Sequence, residues 1–160
     1  MKSPEVSVEV LRAHLVRVRS DEKAESSRRY FPAGAQCSGV NALDIKTIVA
    51  DFQSDHRELG ADETLLISEH LLENAKWHED VLLAFGLMNK FVKNHYRDDL
   101  LLRFEYWLEH YASNWSHVDD LCIKTLYQFL LARPHLIENT QHWSRSKVSW
   151  CRRASNVVWV

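Results

Sequence analysis

Apolar residues recur at every third or fourth position in segment after segment of this chain, and this spacing constrains the fold more than any other feature. Residues 42–54, for example, carry Ile45, Ile48, Val49 and Phe52. Such spacing predicts amphipathic helices that each bury one face. The predicted helices are 5–18, a short charged segment 22–31, 42–54, 61–74, 77–94, 98–112, 116–132, 135–143 and a last one from Lys147 to the end of the chain.

Turn-forming residues are scarce, which argues against a sandwich or barrel built of many short strands. Gly and Pro together account for seven of 160 residues, and two of the four glycines fall in the predicted loop 32–41. The helices pair across short connections at intervals of roughly 35–45 residues. We therefore expect an all-α protein, a HEAT-like helical-repeat solenoid of stacked antiparallel helix pairs that forms a single domain over residues 1–160. A compact helical bundle is the alternative.

Charge is distributed unevenly along the chain. The net charge is −2, yet no Asp or Glu follows Glu138, and that last segment carries Arg145, Lys147, Arg152 and Arg153. A segment of this kind either forms a local basic surface that binds polyanions or is a solvated helix face.

Several classes of site and location are disfavoured by the motifs that the sequence lacks. There is no Gly-rich nucleotide motif, no GxSxG, and Leu82 stands where HExxH would need a second His after His78. We expect no metal and no organic cofactor. Cys37, Cys122 and Cys151 show no CxxC spacing, and Cys122 and Cys151 lie in apolar helical patterns typical of a core.

The N-terminal segment and the hydropathy pattern bear on location. The first residues, MKSPEVSVEVLRAH, are partly acidic and lack the apolar core of a signal peptide. No apolar run approaches the ~20 residues of a membrane span. We expect a cytoplasmic protein with reduced thiols and no membrane partner.

The stretch NWSHVDD, residues 114–120, admits two interpretations. Trp115 and Asp119 are four residues apart and would share one helix face, which combines a flat aromatic surface with a negative charge. Alternatively, Ser116 and Asp119 fit the S/T-x-x-D/E pattern of a capping box, with Trp115 as the staple residue before it. Spacing alone favours the cap.

Four motifs in order resemble those of the AlkD-like DNA alkylation repair enzymes, which are HEAT-like-repeat DNA glycosylases. Residues 114–137, NWSHVDDLCIKTLYQFLLARPHLI, resemble their W-D-x-V-D signature followed by a helix, a Pro and another helix. Residues 150–154, WCRRA, resemble their W-x-x-R-A signature. Upstream, EKAESSRRYF at 22–31 resembles an early family helix, and Gly39-Val40 resembles the Gly-Ile/Val before the next one. The resemblance covers about residues 8–160.

The resemblance implies a chemistry for three residues. Purines alkylated at N3 or N7 are cationic leaving groups, and the glycosidic bond breaks toward an oxocarbenium-like sugar. Asp119 matches the catalytic carboxylate that stabilises this charge, and Trp115 matches an aromatic wall facing the cationic nucleotide. Arg153 matches the catalytic-site Arg that holds a backbone phosphate, with a salt bridge to a neighbouring helix as its alternative role.

The resemblance also implies a partner, duplex DNA that contains alkylated bases, gripped by its backbone without sequence readout. The candidate backbone contacts are Arg28, Arg29, Tyr30, Arg145, Lys147 and Arg152. For Arg28 and Arg29, a solvated face is the alternative.

The sequence departs from the family in three places. Ser116 replaces a usual Asp, and Leu43 and Ile45 replace a usual Pro and Arg that contribute one DNA contact. The chain also stops soon after Arg153, so we expect it to lack the C-terminal repeats of the family. Two alternatives to the enzyme stay open: a non-catalytic HEAT-like module that binds DNA or protein, and a bundle that dimerises through its apolar last helix instead of remaining a monomer.

Overall fold

A computed structural model describes residues 3–31 and 34–160 of the chain, and every regular element in that part is helical. The all-α prediction is therefore confirmed. Pro32 and Ala33, at the start of the predicted loop, lie outside the described residues. The elements are α1 (Pro4–Val18), α2 (Asp21–Arg28), α3 (Ala42–Asp55), α4 (Ala61–Glu73), α5 (His78–Met88), α6 (Leu100–His110), α7 (Trp115–Asp120), a π-helical segment (Leu121–Leu126), α8 (Tyr127–Leu131), a 3-10 helix (Pro134–Arg145) and α9 (Ser149–Val157).

Three predicted helix ends and one predicted helix type were wrong. The helix predicted for 22–31 ends at Arg28, because the next residues form tight turns in which Tyr30 N–H donates to the Ser27 carbonyl. The helix predicted to reach residue 94 ends at Met88. Residues 135–143 belong to a 3-10 helix, in which Thr140 and Ser144 hydroxyls donate to carbonyls three residues earlier. The last helix ends at Val157 and does not run on to residue 160.

The packing of the chain divides it into two compact units, Met1–Met88 and Asn89–Val160. In the first unit α1 packs on α3 and α4, and α5 packs on the same two helices. Its core includes the fully buried Leu11, Leu15, Leu71 and Phe85, and each such side chain stabilises the fold by about 1.5–3 kcal/mol. Packed pairs such as α4–α5 are compatible with a helical-repeat solenoid, whose superhelical arrangement stays a prediction, as does the single domain.

A buried carboxylate holds the loop before α3 in the first unit. Glu79 is almost fully buried, and its two oxygens accept hydrogen bonds from the N–H groups of Ser38, Gly39 and Val40 at 2.8, 3.0 and 3.3 Å. Gly39 has φ +80°, and a Cβ there would lie 1.9 Å from the Ser20 carbonyl oxygen. The loop therefore requires a glycine at this position on two counts, backbone conformation and space.

In the second unit, α9 is the central helix and packs on α6, α7 and the 3-10 helix. The core is rich in aromatic residues: Phe104 makes edge-on contacts with Trp107 and Phe129 at centroid distances of 5.3 Å. Such T-shaped pairs add attraction beyond the burial of apolar area. Cys151 and Ala154 of α9, with Val158 directly after the helix, face this core, which leaves Arg152 and Arg153 exposed.

The nearly buried Arg133 explains why residues 89–96 do not continue the preceding helix. The Arg133 guanidinium donates to the carbonyls of Val92, His95 and Tyr96 at 2.7–2.9 Å and covers the Phe129 ring. Tyr96 adopts a left-handed φ of +72°, which is uncommon for a residue with a side chain. Arg133 therefore pairs carbonyl groups that a continuing helix would have used itself.

Candidate functional site

The start of α7 excludes a capping role for Asp119. Asn114 is the N-cap residue, with extended backbone angles, and its side-chain oxygen accepts a hydrogen bond from His117 N–H at 3.1 Å. Helix α7 begins at Trp115, so Ser116 is not a cap and Asp119 lies beyond the first turn. The capping-box interpretation, with Trp115 as a staple residue, was wrong, because the better-placed Asn114 already pairs the first-turn N–H group.

Asp119 and Arg153 form a two-pronged ion pair between α7 and α9. Arg153 Nε donates to Asp119 Oδ1 at 2.7 Å, and an Nη of Arg153 donates to Oδ2 at 2.8 Å. The Asp119 side chain is 24% exposed and that of Arg153 is 40% exposed, so both remain open to solvent. Hydrogen bonding to Asp119 raises the pKa of Arg153 above its ordinary value. This planar fork geometry is the one that also suits a phosphate group.

Cys122 and Cys151 are core residues, as predicted. Cys122 and Cys151 are fully buried. Burial, with a smaller contribution from the charge of Asp119, raises the pKa of the Cys122 thiol to about 12, and burial also raises the pKa of Cys151. Since a thiol reacts as the thiolate, neither is a candidate nucleophile.

Trp115 is placed one helical turn before Asp119 on the same helix. The indole is 43% exposed, and a separation of four residues along a helix is about 6 Å. The helix thus carries a large aromatic surface and a carboxylate within one turn of each other, on the side of α7 that solvent reaches.

The helix that carries Asp119 is underwound in its middle part. Buried residues occur as doublets every four positions, 117–118, 121–122, 125–126 and 129–130. In an α-helix a step of four residues overshoots a full turn by about 40°, so a stripe with this period would wind around the helix. The π-helical segment Leu121–Leu126 turns less per residue and compensates for the overshoot. The doublets were visible in the sequence as a period of four, a signal that the helix prediction did not use.

The predicted DNA contacts of the first unit lie together at the end of α2. Arg28, Arg29 and Tyr30 are all exposed, and Arg28 pairs with Glu25 at 3.1 Å. Next to them is a cleft that the sequence did not predict. It is lined by Lys23, Ser26, Ser27, Gly39, Val40 and Asn41.

The predicted DNA contacts of the second unit lie at the junction of the 3-10 helix and α9. Arg145, Lys147 and Arg152 are exposed. Arg152 donates to the carbonyls of Ser146 and Lys147 at 2.6 and 3.1 Å, so its guanidinium helps to hold the turn before α9. Among the predicted site residues, Asp119 contacts Arg153 through side chains and Arg152 contacts the backbone of Lys147.

Two negative observations apply to the parts of the chain that the structure describes. No group of three or more His, Cys, Asp or Glu side chains there could hold a metal ion. Among the helices described, none is both long and apolar enough to cross a membrane. Near the end of the chain Val158 is buried and Trp159 is exposed, and dimerisation through this helix stays a prediction.

A family model described as DNA alkylation repair enzyme matches residues 11–160. A search of curated proteins found no match.

Proposed function

The chain belongs to the DNA alkylation repair enzyme family, and on that basis we propose that it is a DNA glycosylase acting on cationic N3- or N7-alkylated purines in duplex DNA. It hydrolyses the N-glycosidic bond: the base departs with the bonding electrons as a neutral alkylpurine, water supplies the hydroxyl group at C1′, and one proton is released. No metal or organic cofactor takes part in this scheme.

The observation that carries the proposal is the pairing of Asp119 with Arg153 on the exposed side of α7 and α9. A carboxylate beside the sugar stabilises the positive charge that develops as the bond breaks, and it can orient the attacking water and accept its proton. Asp119 is open enough to solvent to take this role.

The same pair requires an exchange of partners when substrate binds. In the free protein both Asp119 oxygens accept hydrogen bonds from Arg153. The positive charge of the guanidinium offsets the negative charge with which Asp119 would stabilise a cationic sugar. A backbone phosphate offers the guanidinium an equally good fork-shaped acceptor. We expect Arg153 to turn to the phosphate next to the lesion, so that Asp119 is freed only when DNA is in place.

Trp115 and the basic residues complete the proposed complex. The indole face of Trp115 attracts the cationic nucleotide through a cation–π contact. The exposed residues Arg28, Arg29 and Tyr30 of the first unit and Arg145, Lys147 and Arg152 of the second are the proposed contacts to the DNA backbone. Such contacts give affinity without sequence preference and weaken as salt rises.

A second candidate is a non-catalytic module that binds DNA or a protein. The observation that favours it is again the ion pair, since an Arg153 that never leaves Asp119 would merely join α7 to α9. The test is release of methylated purine from methylated duplex DNA by the intact chain and by Asp119→Asn. Release that is lost in the variant, with duplex affinity kept, supports the glycosylase; binding without any release supports the module.

A further inference from the structure

One face of the helix from Trp115 to Leu131 is open to solvent along its whole length, and Asp119 lies on it. The residues of this face are spaced by four: Trp115, Asp119, Ile123, Tyr127 and Leu131. Ile123, Tyr127 and Leu131 are 54%, 36% and 60% exposed, which is unusual for three apolar side chains in succession. We call these five residues the α7–α8 ridge.

The π-helical segment keeps the ridge straight. With α-helical winding throughout, four steps of four residues would carry Leu131 about 160° around the axis from Trp115. The lower twist of Leu121–Leu126 cancels much of that rotation. The buried side chain of Thr125, in the middle of the segment, donates a hydrogen bond to the Asn89 amide oxygen. The underwound segment is thus held in place, and it aligns Ile123 and Tyr127 with Asp119.

We propose that Ile123 and Tyr127 are further substrate-binding residues, which pack against the deoxyribose groups of nucleotides next to the lesion. The proposal rests on the proposed function. Ile123 and Tyr127 follow Asp119 by four and eight residues, which at the α-helical rise is at most about 6 and 12 Å along the helix. Base pairs stack every 3.4 Å or so, so a strand placed with its damaged sugar at Asp119 brings neighbouring sugars within reach of both residues.

The composition of the ridge fits a nucleic-acid backbone better than a protein surface. The apolar part is one residue wide, and the ion pair of Lys124 with Asp120 runs beside it. A stable protein interface needs a broader apolar centre. A DNA strand presents narrow apolar sugar faces between phosphates, which matches a single apolar row beside the cationic groups of Lys124 and Arg153.

The test compares charge-matched variants of the full chain in two assays. Ile123→Glu and Tyr127→Glu place a carboxylate on the ridge, whereas Leu102→Glu places one at an exposed apolar position of α6, which is 68% exposed and not part of the ridge. The assays are anisotropy with a fluorescein-labelled unmodified duplex and release of methylpurine from a methylated duplex. Thermal melts check that each variant is folded.

We expect each ridge variant to weaken duplex binding by about tenfold or more, because its carboxylate is held against the phosphates. Leu102→Glu, which changes the net charge equally, should change duplex affinity by less than about threefold. The weaker duplex binding of the ridge variants should raise the KM of base release. The single-turnover rate at saturating DNA should change little.

Each outcome bears on one proposal or the other. Equal effects of Ile123→Glu and Leu102→Glu overturn the role of the ridge. Absence of duplex binding by the wild type overturns it as well. Binding without base release overturns the glycosylase proposal alone, and the comparison of variants then still decides whether the ridge contacts DNA.

Discussion

Asp119 and Arg153 lie 34 residues apart in the sequence, yet both oxygens of the carboxylate accept hydrogen bonds from the one guanidinium. The pair depends on the packing of α7 against α9. Because both side chains are partly exposed, the pair contributes little to stability, about 0–1 kcal/mol. The roles of the two residues can therefore be tested by substitution without unfolding the protein.

Substitution of Asp119 by Asn should abolish base release and leave the fold intact. The amide keeps the size of the side chain but cannot stabilise a cationic sugar. We expect the melting temperature to change little. The matched control is Asp120→Asn, which removes the neighbouring carboxylate, paired with Lys124; its release rate should stay near that of the wild type. Equal loss of activity in both variants would contradict the assignment of Asp119.

Substitution of Arg153 by Gln should reduce both base release and the salt dependence of DNA binding. One phosphate contact fewer lowers the slope of log K against log salt by about 0.9. Arg153→Lys should recover the slope but only part of the activity, because an ammonium cannot make the two-pronged contact. Arg57→Gln is a control on an exposed arginine that bonds to Ser54 in α3. An unchanged slope in Arg153→Gln would show that Arg153 stays with Asp119.

Substitution of Gly39 by Ala should destabilise the first unit far more than Gly34→Ala. Both glycines have positive φ, +80° and +92°, so both variants incur backbone strain of roughly 1–2 kcal/mol. Of the two, only Gly39 would also clash with backbone, because the new Cβ would lie 1.9 Å from the Ser20 carbonyl oxygen. We expect a difference of several kcal/mol, on the order of 3, measured by urea denaturation. Similar losses in the two variants would mean that strain alone matters.

Replacement of Arg133 by Lys should lower the melting temperature of the second unit. A single ammonium cannot serve the three carbonyls of Val92, His95 and Tyr96 in their fixed positions. Unsatisfied buried carbonyls cost about 1–3 kcal/mol each, so a total near 3 kcal/mol is expected. Hydrogen exchange by mass spectrometry should locate the loss of protection in residues 89–98. Protection unchanged there would contradict the role assigned to Arg133.

Acid should destabilise the first unit partly through His78. Burial lowers the pKa of His78 from 6.5 to about 4. Between these values the unfolded chain binds a proton that the folded one does not, so stability falls as pH decreases, by up to about 1.4 kcal/mol per pH unit. His78→Phe, which keeps the ring contact with Phe31, should show a shallower decline of melting temperature between pH 6.5 and 4. Identical pH profiles would refute this contribution.

Local pattern was enough to predict most helices of this chain. The apolar periodicity gave α1, α3 and α4 almost to the residue, because each buries one face against a core and the spacing follows directly from helix geometry. The motifs at 114–137 and 150–154 likewise indicated the family that the match over residues 11–160 shows. Both kinds of signal are contained in contiguous residues.

Boundaries and pairings required the tertiary structure. The helix predicted over 77–94 ends at Met88, and Arg133, some forty residues later, binds carbonyls that follow in residues 92–96. Whether Asp119 caps α7 or faces solvent depended on Asn114, one residue before the predicted Trp–Asp pair. In each case the outcome depended on which side chain binds the backbone groups, and sequence spacing could not predict that.

By itself, the sequence determined that the chain is helical, which faces of most helices are buried, and that Trp115 and Asp119 share a helix. Only the tertiary structure decided that Arg153 is the partner of Asp119 and that a π-helical segment aligns Ile123 and Tyr127 with them. The physical reason is that helical periodicity is a property of neighbouring residues, whereas an ion pair between helices and a local change of twist depend on how distant side chains pack.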